Sequence, residues 1–222
     1  MAQKELEEMI HCFYWQVALL LEEQLRSKSR QQLMKVDRHG SSTTLTTQQL
    51  DALLDAAPSP RYRALWSIQR WTAGRIGECL ALTWGDLNGV VTFRRANTKT
   101  KTTRQVPTAP QLATELDAYR KAWAEEHGHP PARDEVLFPA KGSTHTPMSR
   151  QAADKALRQA CATLGLEGVS THSFRRSFAT GALRRGVDLP TIQKVTGHKS
   201  LGSLGHYLEV DEAEVLAAIL GA

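Results

Sequence analysis

Four separated stretches of the chain carry residue types suited to a phosphodiester. In Gly74-Arg75-Ile76-Gly77-Glu78 an arginine opens a helix just past a glycine, with an acid three residues on. Thr98-Lys99-Thr100-Lys101 lies on a basic turn that holds Arg94, Arg95, Lys99, Lys101 and Arg104 without one carboxylate. His172-Ser173-Phe174-Arg175 sets an imidazole and a guanidinium at i and i+3, on one side of a helix. Gly197-His198 is followed nine residues later by Tyr207.

Each stretch alone has an ordinary reading. Arg75 could pair with Glu78 one turn away, a basic hairpin is usually a solvated surface, and Tyr207 could be a half-buried aromatic with a wet hydroxyl. Taken together they are what phosphoryl transfer by a tyrosine requires. Attack on a phosphodiester spreads negative charge over its equatorial oxygens, which two arginines can clamp with paired donors. Histidines add donors whose proton moves near neutral pH. A phenol of ordinary pKa must be deprotonated by a neighbour or a positive field. The departing sugar oxygen needs a proton, which a lysine on a loop can deliver. The scheme needs no metal and no cofactor, and the sequence has no carboxylate cluster to hold an ion.

The elements that must position these residues read as mostly helical. Thr46 with Gln49 is a capping box opening a helix through Leu50, Leu53 and Leu54. Ser59-Pro60 opens another, with Leu65, Ile68 and Trp71 on one side and Gly74 as its stop. Arg75 to Leu82 is a short helix; 109–126, 149–164, 172–186 and 189–196 are longer or later ones. Val90 to Phe93 and Arg104 to Val106 are the strands of a hairpin, and Val136 to Phe138 is a third candidate strand. The fold class expected is α+β: mainly α with a small antiparallel β-sheet. Residues 1–40 are expected to be a helical extension, with Leu6, Ile10, Phe13, Val17, Leu20 and Leu21 as its apolar stripe, and a polar linker; 41–222 is one domain.

Composition bounds the answer without deciding it. The 222 residues suit one medium domain with an appendage, and a net charge of +5 leans toward a polyanionic partner. Cys12, Cys79 and Cys161 are isolated, so neither a disulfide framework nor a zinc site is suggested. His127 and His129 flank Gly128 and read as loop residues rather than ligands. Phe13 to Leu21 is too short to span a bilayer, and Glu5, Glu7 and Glu8 stand where a secretory signal would be positive. The expected location is the cytoplasm.

These motifs, from Leu45 to Leu87, Lys99 to Pro107 and Thr171 to Val210, resemble the catalytic domain of the tyrosine recombinases, the phage integrase family. The family order of arginine, lysine, histidine-x-x-arginine, glycine-histidine and tyrosine is met by Arg75, Lys99, His172, Arg175, His198 and Tyr207. Glu78 matches the family's bracing acid, and Lys99 lies eight residues before Pro107 as the family lysine does, with Lys101 the alternative. The resemblance implies site-specific strand exchange. Tyr207 would form a 3′-phosphotyrosyl link, His172 would be its base, Lys99 the acid for the leaving oxygen, and no ATP would be needed. The implied partner is double-stranded DNA, contacted by Arg94, Arg95, Lys101, Arg104, Arg176 and Lys199. The implied assembly is a homotetramer on two duplexes, exchanging the C-terminal helix Asp211 to Leu220. Residues 1–40 are too few for the helical clamp that usually precedes this domain. Rival readings are a DNA-binding regulator or remnant of the same fold, a DNA-relaxing enzyme of the topoisomerase kind, and a helical adaptor with accidental matches.

Overall fold

The computed structural model describes residues 42–209 and 212–220; the expected N-terminal helix, its linker and Cys12 lie outside the described residues. In chain order the helices are α1 (Thr47–Asp55), α2 (Pro60–Thr72), α3 (Ile76–Leu80), α4 (Pro110–His127), α5 (Arg150–Thr163), α6 (Ser173–Arg184), α7 (Leu189–Thr196), α8 (Leu201–Gly205) and α9 (Glu212–Leu220). Strands β1 (Val90–Phe93) and β2 (Arg104–Pro107) sit between α3 and α4. They pair antiparallel, with Val90 opposite Pro107 and Phe93 opposite Arg104. The expected fold class, mainly helical with a small antiparallel sheet, is what is found.

The local signals act as expected at α1, where Thr46 Oγ1 accepts from Gln49 N–H and Gln49 Oε1 accepts from Thr46 N–H. Pro60 opens α2 at its first turn. This helix is the centre of the fold: α4 and α6 pack against it, and Leu65, Trp66, Ser67, Ile68, Gln69 and Thr72 are all buried. Trp66, not Trp71, is the tryptophan it gives to the core. Trp71 is half-buried beneath the Arg70 guanidinium, 5.1 Å from its ring.

Ala73, rather than Gly74, ends α2, in the left-handed conformation at φ 52°. That conformation costs an alanine about 1–2 kcal/mol, and it turns the last carbonyls of α2 toward the site described below. Gly74 is required by space instead: a Cβ there would stand 2.5 Å from Cys79 Sγ and 2.9 Å from Phe93 Cζ.

No third strand joins the hairpin among the described residues. Val136 forms a single bridge with Thr83, Leu137 N–H donates to Leu82, and Met148 N–H donates to Phe138. Three partners for three neighbouring residues make bridges, not a ladder. His127 is the last residue of α4 rather than loop, its ring stacked 4.0 Å from that of Trp123.

The main core joins α1 through α5, the hairpin and Phe174 of α6. A second, smaller cluster of Ala179, Ala182, Ile192 and Leu204 holds α6, α7 and α8 together, with Tyr207 and Leu208 packed on its margin. The segment bearing the tyrosine therefore rests on four small or medium apolar residues, a modest anchor beside the main core.

Candidate active site

Glu78 is the third residue of α3, where a helix start favours a carboxylate. It accepts from Arg75 N–H at 3.2 Å and from Arg75 Nη1 at 2.8 Å. Arg104 Nη2 donates to the same carboxylate at 3.0 Å. A buried acid is tolerated only when paired, and here two guanidiniums pair it.

Arg175 enters from the first turn of α6 and is 1% exposed. Its Nη1 donates to the Ala73 carbonyl at 2.7 Å, its Nη2 to His198 Nε2 at 3.2 Å. Its Nε is buried with no acceptor among the described residues. Burial first, and then the charges of Arg75 and Arg104, press its pKa down to about 9, against the opposing pull of Glu78. Three guanidiniums, two of them bonded to Glu78, thus stand near a single carboxylate, and the cluster is short of negative charge. An anion seated there would relieve the repulsion and take the spare donor.

His198 follows Gly197, which closes α7 in the left-handed region at φ 69°. A Cβ at Gly197 would meet Arg104 Cδ at 2.9 Å, so the position needs glycine twice over. Thr196 Oγ1 donates to the Ile192 carbonyl and lies 2.8 Å from His198 Nδ1. Because Nε2 accepts from Arg175, the proton of the neutral ring is assigned to Nδ1, donating to Thr196. Burial, then Arg175, Arg75 and Arg104, push the His198 pKa down to about 3. Sequence reasoning expects a group whose proton moves near neutral pH; this charge environment instead holds His198 neutral.

Tyr207 completes the cluster. Its hydroxyl is 3.3 Å from His172 Nδ1, and its ring lies 4.7 Å from the His198 ring and 5.4 Å from Arg175 Cζ. Thr180 Oγ1 donates to the Tyr207 carbonyl and Arg176 Nη1 to the His206 carbonyl, fixing the backbone on both sides. His172 stands at the cap of α6, on a segment tied to α2 by Gln69 Nε2 donating to the Thr171 carbonyl.

Five of the six expected residues, Arg75, His172, Arg175, His198 and Tyr207, therefore meet in one place. Lys99 does not touch them. It is exposed on the loop between β1 and β2, as is Lys101, whose φ is 56°. The turn is organised by buried Thr98, which donates to the Arg95 and Thr102 carbonyls.

Of the expected DNA contacts, Arg95, Lys101 and Lys199 are exposed. Arg94 is half-exposed and anchored on Asp86 and Thr83. Arg104 is a correction: it is buried, donating to the Thr72 and Val195 carbonyls and to Glu78, because β2 turns it inward beside Val106. Arg176 is half-buried, with Nη1 donating to the His206 carbonyl.

The sequence profile of the phage integrase family matches residues 43–214. The chain belongs to the phage integrase family. The tyrosine recombinase XerC of Rhizobium meliloti (strain 1021) is 38% identical over 143 residues, 64% of this chain and 43% of that protein. The probable integrase/recombinase YoeC of Bacillus subtilis (strain 168) is 30% identical over 147 residues, 66% of this chain and 76% of its own length. The crystal structure of XerA recombinase superposes with a TM-score of 0.67 at 21% identity, covering 84% of this chain and 65% of that one. The chain spans about half the length of most of the curated relatives it matches. The integrase-family motifs and the cluster coincide: all five converging residues fall within the matched region.

Thr196 and the carbonyls of Thr72 and Ala73 are parts of the site that the motifs did not point to. Only the threonine left a signal, as a polar residue on the inner face of α7 two positions before His198.

The depressed His198 pKa has a pH consequence. In the unfolded chain this ring takes its proton near pH 6.5; folded, it does so only near about 3. Between those values the unfolded state binds the extra proton, so this contribution to stability is complete above pH 6.5 and declines as pH falls toward 3. The melting temperature is expected to fall from pH 7 to pH 4.5, and to fall less in His198→Asn. Equal shifts in both proteins would show that His198 is not strained against protonation.

Proposed function

We propose that residues 41–222 are a tyrosine recombinase catalytic domain that cuts and rejoins double-stranded DNA through a 3′-phosphotyrosyl intermediate. One observation carries this: a tyrosine hydroxyl in hydrogen-bond reach of His172, its ring beside Arg175 and His198. The names of the relatives, tyrosine recombinases and a probable integrase/recombinase, support the same reading.

In this reading the scissile phosphate docks against Arg75 and Arg175, and Arg175 Nε, buried without a partner, gains an acceptor. The Tyr207 oxygen attacks phosphorus as its proton passes to His172, whose Nδ1 is already adjacent. The bond to the 5′-oxygen breaks, and that oxygen takes a proton from Lys99, carried in on its exposed loop, with Lys101 as the alternative donor. The guanidiniums hold the equatorial oxygens through the charge build-up. The DNA 3′ end stays on the enzyme, so the phosphodiester energy is conserved, and attack by a 5′-hydroxyl reverses the step without ATP. No cofactor or metal has a role in this scheme.

Arg94, Arg95, Lys101 and Lys199 are the phosphate contacts of this reading, its affinity falling with added salt. The partner is DNA at the nucleoid, in the cytoplasm. The assembly is a homotetramer on two sites, joined through α9, whose Val215, Leu216, Ile219 and Leu220 are exposed. Among the described residues no helix is long and apolar enough to cross a membrane.

The test is covalent capture. A pool of nicked duplexes with a randomised core is incubated with the protein in chelator, and protein-linked DNA is isolated under denaturing conditions and sequenced. A retained, enriched duplex is expected, linked at its 3′ phosphate. Absence of any protein-linked DNA would refute the reading.

A further inference from the structure

The geometry points to Arg104 as a positioning residue for strand cleavage: a buried guanidinium that locks the Arg75–Glu78 pair, the Gly197–His198 corner and the base of the Lys99 loop into one register. The inference rests on the strand-cleavage reading above.

Four observations converge on this side chain. Arg104 Nη2 donates to Glu78, the acid that also binds Arg75 through its side chain and its backbone N–H. Arg104 Nη1 donates to the Thr72 carbonyl at the end of α2 and to the Val195 carbonyl at the end of α7. It therefore caps two helix C-termini at once, where unpaired carbonyls and the helix dipole both favour a cation. The guanidinium lies 4.1 Å from the Phe93 ring on β1, directly across the ladder. Finally, the chain makes room for it at Gly197, where any Cβ would collide with the Arg104 side chain.

Each fixed end leads straight to a reacting group. Thr72 precedes Ala73, whose carbonyl holds Arg175. Val195 precedes Thr196, which orients the His198 ring. Arg104 is itself the first residue of β2, so its own backbone closes the loop that carries Lys99 and Lys101. A planar fork that reaches a carboxylate on one side and two carbonyls on the other is a task that lysine, a single point of charge, does not reproduce. Both terminal nitrogens of Arg104 are committed to protein acceptors, so it is not counted as a contact for DNA phosphate, although its place in a run of basic residues suggests one.

The experiment uses the full chain and the duplex recovered by covalent capture, so that wild-type cleavage of that duplex tests the strand-cleavage reading independently. Arg104→Met, Arg104→Lys and Gly197→Ala are compared with wild type, each well below its own melting temperature. Single-turnover cleavage at saturating DNA is expected to fall about 100-fold in Arg104→Met, the scale of a misplaced catalytic group. DNA affinity and its salt dependence should stay within about twofold of wild type, because no phosphate contact is lost. Arg104→Lys should recover the rate only in part. Gly197→Ala should slow cleavage too, through the Arg104 clash and the left-handed backbone together, and combined with Arg104→Met it should slow it by less than the product of the two single effects, since the Arg104 contact is shared. If Arg104→Met does not fold, Arg104→Lys and Gly197→Ala decide alone. A weaker, less salt-dependent affinity with unchanged cleavage at saturation would make Arg104 a DNA contact and overturn the inference. So would full recovery by lysine, or undiminished cleavage in Gly197→Ala.

Discussion

Tyr207→Phe is expected to lose covalent complex formation altogether, a fall of at least about 10⁴-fold in cleavage rate, as when the nucleophile of a catalytic unit is removed. The change deletes one oxygen and little else. The ring of Tyr207 sits on the margin of the α6–α7–α8 cluster, and phenylalanine keeps that packing along with the contacts to His198 and Arg175. The hydroxyl's hydrogen bond to His172 is exposed, so its loss should cost stability about 1 kcal/mol or less. Binding to the recovered duplex should persist. A variant that still formed the linked species would remove Tyr207 from its role, whatever its position.

Arg175 carries the second large effect, and here catalysis and folding must be separated. It is the most deeply buried of the site cations, with donors on Ala73 and His198 and a third, Nε, buried without an acceptor among the described residues. Arg175→Ala removes the donors that the strand-cleavage reading gives to the phosphate, and loss of even one such donor is expected to cost about 3–4 kcal/mol of transition-state stabilisation, or 10²–10³-fold in rate. It also leaves the Ala73 carbonyl without its partner, which costs roughly 1–3 kcal/mol of stability. Arg175→Lys keeps a charge but cannot address Ala73, His198 and phosphate together, so single-turnover cleavage is still expected to fall by at least about 10². Cleavage by Arg175→Lys within about threefold of wild type, in a folded protein, would show that the guanidinium fork is not what the reaction uses.

What the sequence made legible, and what it hid, follows from how local each signal is. The Thr46–Gln49 capping box, the Pro60 helix start and the β1–β2 hairpin are written in neighbouring residues, and each formed where the pattern places it. The histidine-x-x-arginine and glycine-histidine motifs are equally local, and the fold brings their side chains to Arg75 and Tyr207. Arg104 was obscured because five basic residues without an acid look alike in a string. Its alternation with Val106 was the available clue, since β2 buries Arg104 and Val106 and exposes Gln105 and Pro107. Trp66 was missed for a different reason: α2 is enclosed by helices on several sides, so no single apolar stripe marks its inner face. The third strand failed because Val136 to Phe138 take their hydrogen bonds from three separate segments, a tertiary outcome that short apolar runs do not encode. Nor could spacing reveal that burial, with three guanidiniums nearby, would press the His198 pKa down to about 3, because that is a property of the assembled site.

The most direct measurement is the site of the bond itself. The covalent complex is digested with nuclease and then trypsin, and the adduct is located by fragmentation mass spectrometry. Cleavage after Lys199 releases residues 200–222, in which Tyr207 is the sole tyrosine. A nucleotide 3′-phosphate on the Tyr207 oxygen is the predicted result. A nucleotide on Ser200, Ser203 or any residue outside that peptide would contradict it.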